Sequence, residues 1–75
     1  MIINTAVKPQ DTVYYISACI IEMLNKQSFV ADELYEEVKK AYNPKLEYQT
    51  FLSAIHFSFL LEKINLNKEG LLICI

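Results

Sequence analysis

His56 is the chain's single histidine and the first residue to weigh for catalysis. An imidazole serves as a general base when a nucleophile or an orienting acid is in reach, and as a metal ligand when several others join it. The sequence holds no group of His, Cys, Asp and Glu at ligand spacing. Cys19 and Cys74 stand far apart in apolar surroundings without CxxC spacing, which fits neither a zinc site nor a disulfide framework and leaves two reduced core thiols. Glu33, Glu36 and Glu37 form an acidic cluster, but a run of this kind on one helix is ordinarily its solvated side. With Gly70 as the only glycine, no Gly-rich phosphate loop can be built. The expectation is a protein that is not an enzyme and takes neither cofactor nor metal.

The elements that would carry these residues are read from apolar spacing. Taken as a helix, residues 46–62 place Tyr48, Phe51, Leu52, Ile55 and Phe59 on one face, the pattern of a core stripe. Ala54, Phe57 and Leu61 recur at i, i+3 and i+7 on another side, with Leu60 beside them, while His56 projects away from the stripe. Ten of the seventeen residues are apolar or aromatic. A helix with one buried face of about three positions in seven needs roughly seven. The surplus asks for a second covering, either a partner molecule or an arm or hairpin of the same chain.

Ahead of this helix, Asp11 is the expected N-cap of a first helix over residues 12–25. There Val13, Ile16, Ile20 and Leu24 share one face, Tyr14, Ala18 and Ile21 line an adjacent side, and Tyr15 and Cys19 a third. Phe29 and Val30 suit a very short strand. Asp32 is the expected cap of a second helix, 33–42, with Leu34, Val38 and Ala41 as its stripe and Glu36–Lys40 as a favourable i,i+4 pair. Asn43 and Pro44 stop it. After the third helix, Lys63-Ile64-Asn65-Leu66-Asn67 alternates as a half-buried strand, Lys68-Glu69-Gly70 is a turn, and Leu71-Leu72-Ile73-Cys74-Ile75 is a continuous apolar strand. Pro9 biases Lys8 to an extended conformation, so residues 1–10 read as an arm or short strand. The expected fold is α+β: a single small winged-helix-like domain over residues 1–75, three helices plus a C-terminal β-hairpin.

A domain of about 60 residues buries only about 60% of its unfolded surface. Yet 53% of these residues are hydrophobic and only 21% charged, which reads as a subunit of something larger. Seven Lys, no Arg and a net charge of −2 lack both the positive field and the bidentate guanidinium groups of a nucleic-acid binder. A winged helix invites the reading of a DNA-binding transcriptional regulator, but residues 46–62 contain no Lys or Arg, and phosphate contacts supply most of such affinity. The N-terminus lacks the order of a signal peptide, and the longest uncharged run is too short to span a bilayer, so the expected location is cytoplasmic. The candidate site is therefore a protein interface built from Ala54, Phe57, Leu60 and Leu61, joined by Leu71, Ile73 and Ile75 on an edge strand able to accept a partner. A larger protein or a second copy of the chain would bind there.

The opening IINT with Lys8-Pro9, the helix YISACIIEML, the segment Asp32-Glu33-Leu34-Tyr35-Glu36, the run FLSAIHFSFLLEKI and the Gly70 hairpin together resemble the small middle component of bacterial ABC-three-component systems. His56 stands where an acidic residue is expected in that family, and Glu62 where glycine is common. The resemblance implies a protein encoded beside a large SMC-like or Rad50-like ABC ATPase and an effector, in systems similar to Lamassu-type anti-phage defence. It further implies a non-catalytic connector, with ATP hydrolysis or nucleic-acid cleavage left to the partners.

Overall fold

The computed structural model describes residues 12–75; the expected N-terminal arm and Asp11 lie outside the described residues. The described residues form α1 (Val13–Lys26), α2 (Ala31–Ala41) and α3 (Tyr48–Leu60), followed by the antiparallel hairpin β1 (Ile64–Leu66) and β2 (Leu72–Cys74). This is the expected small α+β architecture.

The helix starts differ from the sequence reading. Thr12, not Asp11, is the N-cap of α1: its backbone is extended and its hydroxyl accepts from the Tyr15 N–H at 3.2 Å. α2 begins at Ala31 behind Val30, so Asp32 and Glu33 fall in the first turn. There their charge favours the positive end of the helix dipole without capping it. The salt bridge on α2 joins Lys40 to Glu37 at 4.0 Å rather than to Glu36. Lys40 is exposed and Glu37 about half-exposed, so it contributes ~0–1 kcal/mol. Ala41 is exposed and leaves the α2 stripe to Leu34 and Val38.

The core draws on every element. Ile16, Ile20, Leu34, Val38, Phe51 and Ile64 are fully buried, each burial contributing about 1.5–3 kcal/mol. α1 and α3 pack antiparallel along a seam of small residues. Ser17 donates to Val13 O at 2.7 Å and to Ala54 O at 3.3 Å, and Ser58 donates to Ala54 O at 2.8 Å. Serines here bring the backbones close while keeping their hydroxyls satisfied. Tyr48, placed in the core stripe by its spacing, is partly exposed and stacks instead on Tyr35 and Phe51 at 5.0 and 6.0 Å between centroids. Asn43 is buried at the end of α2, accepting the Lys45 N–H on Oδ1 at 3.0 Å.

Between α1 and α2 the expected strand is a single bridge. Phe29 and Leu72 exchange two backbone hydrogen bonds, 3.2 and 2.7 Å, so β2 lies between β1 and Phe29. The hairpin turn is organised by Asn67, whose Oδ1 accepts from the N–H groups of Glu69 and Leu71 at 3.0 and 2.9 Å. Gly70 closes the turn at φ 80°; a Cβ there would meet nothing within 4 Å, so glycine is required by the dihedral, not by space.

Candidate docking surface

α3 carries no Asp, Glu, Lys or Arg. Phe51 and Ile55 turn it toward the core, and Ala54 and Ser58 toward α1, which leaves its last turns to present the remainder of its apolar side chains. Leu60 is 81% exposed and Leu61 48% exposed. Phe57 is half-buried and meets the ring of Tyr14, itself 75% exposed, edge to face at 5.1 Å. The pair extends the apolar surface from α3 onto the first turn of α1. Such a pair is worth about 0.5–1.5 kcal/mol beyond its area.

Phe59 forms a half-buried ridge with a hollow on each side. One, of about 400 Å³, is lined by His56 and Leu60. The other, of about 360 Å³, is lined by Glu62, Ile64, Asn65 and Ile75. Both are open to solvent and flanked by large apolar side chains, the form of a protein contact rather than of an enclosed small-molecule site.

Not all of the residues expected to form this surface lie on it. Leu60, Leu61 and Ile75 are exposed, and Phe57 borders them. Ala54 is fully buried in the seam with α1, because a methyl group there is what lets the two helices approach. Leu71 and Ile73 are half-buried. The edge of β2 is not open along its length, since Phe29 occupies both backbone groups of Leu72 on the side away from β1. On β1, the Leu66 N–H is taken by Asn65 Oδ1 at 2.8 Å. Helical spacing did not single out Tyr14 or Glu62 for this surface. The sequence signal for Tyr14 was the many apolar sides of α1.

His56 is exposed, and no group of three or more His, Cys, Asp or Glu among the described residues is arranged to hold a metal. Burial pushes the Cys19 thiol above its ordinary 9.0; a hydrogen bond from Tyr15 opposes the shift and Glu22 adds to it. The Tyr42 phenol is raised above 10.0, first by desolvation and then by Glu22. Neither Cys19 nor Cys74 is in a disulfide. A raised, buried thiol is the opposite of an activated nucleophile. No helix among the described residues is long and apolar enough to cross a membrane.

No curated protein and no solved structure matches the chain. The family described as ABC-three component (ABC-3C) system Middle Component 6 matches it over residues 3–74. That range takes in all three helices and the hairpin. With nearly the whole of its 75 residues matched, the chain belongs to the Middle Component 6 family and is one component of a multi-part system.

Proposed function

We propose that the chain is a non-catalytic interaction subunit that docks a larger protein of its system through the end of α3. The observation that carries this reading is the exposure of Leu60 and Leu61 beside the Tyr14–Phe57 pair, on a helix without a charged side chain. Large apolar residues grouped on one side with charges at the rim are the composition of an interface core. The partner is an SMC-like ABC ATPase or an effector, as the resemblance implies, and the chemistry of the system resides there. Its antiviral role is that of the whole assembly, in the cytoplasm.

The test replaces Leu60 and Leu61 together with Asp and measures co-purification with the co-expressed system components. Both side chains are exposed, so circular dichroism should stay unchanged while association is lost. An unchanged complex refutes the assignment. Phe57→Asp is less suitable, because it breaks the contact with Tyr14 as well. A DNA-binding regulator would show an electrophoretic shift that weakens steeply with salt; none is expected from α3, which offers phosphate no cation.

A further inference from the structure

Glu62 is the one non-glycine residue with positive φ among the described residues, at 59°. It occupies the position just past the end of α3. Its N–H returns to Phe59 O at 2.9 Å, and the next N–H, of Lys63, returns to Ser58 O at 3.1 Å. Those two bonds close the helix, and glycine makes them without the crowding a Cβ brings to this conformation. Glutamate is therefore disfavoured by the backbone. Among the described residues nothing offsets this: the side chain is exposed, and its carboxylate makes no hydrogen bond and no ion pair there, not even with the adjacent Lys63.

Glu62 lines the hollow shared with Phe59, Ile64, Asn65 and Ile75. α3 has no basic residue in its last turn, so the negative end of its dipole is uncompensated from within the helix at the same place. An acidic residue and a carbonyl-rich helix end thus border one hollow that Phe59, Ile64 and Ile75 also line, and both favour a cation.

We infer that this end of the docking surface receives a basic side chain of the partner. A Lys or Arg beside an apolar anchor places the anchor against Phe59 and Ile75 and the cation at the Glu62 carboxylate and the end of α3. The inference rests on the docking role proposed above and assigns Glu62 to specificity, with affinity coming mainly from Leu60 and Leu61.

The experiment measures the dissociation constant of the full chain with its co-expressed system components across a salt series, for the wild type and for Glu62→Gln, Glu62→Lys and Leu60→Asp/Leu61→Asp. Glu62→Gln keeps the size and backbone of the site and should weaken binding about two- to fivefold while flattening the salt dependence. Glu62→Lys should weaken it about tenfold, with recovery when one partner Lys or Arg is changed to Glu. Wild-type affinity and salt slope in both Glu62 variants, with binding still lost in the leucine variant, overturns this inference and leaves the docking reading intact. Binding that survives the leucine substitutions overturns the docking reading itself. If the isolated chain self-associates and Glu62→Lys abolishes that, the cation belongs to a second copy, and the assignment to a different protein is overturned.

Discussion

Replacing Glu62 with Gly should stabilise the isolated domain. A non-glycine residue in the left-handed region costs roughly 1–2 kcal/mol, and Glu62 is held there at φ 59°. Glycine removes that cost but loses more freedom on folding, by roughly 0.5–1 kcal/mol. No partner of the carboxylate among the described residues is lost. Across these ranges the net gain is about 0–1.5 kcal/mol, centred on ~0.75 kcal/mol. At about 4–8 °C per kcal/mol for a domain of this size, the central value raises the midpoint by roughly 3–6 °C. Thermal unfolding followed by circular dichroism measures this, and urea unfolding should show a higher midpoint at unchanged slope. Glu62→Ala is the control: it removes the charge but keeps the Cβ, so it should gain nothing comparable. A glycine variant no more stable than the alanine variant would refute the strain argument. A stabilised glycine variant that also binds its partner more weakly would show stability exchanged for recognition at one position.

Enlarging the α1–α3 seam should be felt in stability before association: Ala54→Leu inserts bulk where Ser17 of α1 donates to Ala54 O of α3, with an expected loss of about 1–3 kcal/mol in urea unfolding. Because burial raises the Cys19 thiol above 9.0, both native and unfolded states keep that proton below pH 9. Above it the unfolded state releases the proton first, so stability should be level from pH 7 to 8.5 and fall beyond about pH 9 as pH rises toward the folded value. A thermal scan across pH checks this, and Cys19→Ala should soften the fall, leaving the part due to the raised Tyr42 phenol.

Apolar spacing located the three helices and the hairpin because each buries its own periodic stripe: Ile16, Ile20 and Leu24 on α1, Leu34 and Val38 on α2, Phe51 and Ile55 on α3. Caps were less legible. Asp11 and Thr12 are both competent caps one residue apart, and the choice is made by backbone dihedrals. Asp32 suits a cap or a first turn equally, since both satisfy the helix dipole. Ala54 was misplaced because a methyl group on a helix surface counts as apolar whichever way it faces; the neighbouring serines on both helices were the cue to a close crossing. The exposed end of α3 depends on what the other elements leave uncovered, which no local pattern encodes. Tyr48 and Phe59 have the spacing of core residues, yet one sits at the margin of the aromatic stack and the other between two open hollows.

The pair of bonds between Phe29 and Leu72 has a kinetic consequence. It joins the elbow after α1 to the last strand, so the loop it closes contains α2, α3 and the first half of the hairpin, and its closure entropy must be met before the bridge can form, whereas β1 and β2 register across their own short turn. The bridge ties the hairpin to the start of α2. The amides of Phe29 and Leu72 should exchange with deuterium only when the whole domain opens, whereas the Leu66 amide, held by its neighbour's side chain at the rim, should exchange early.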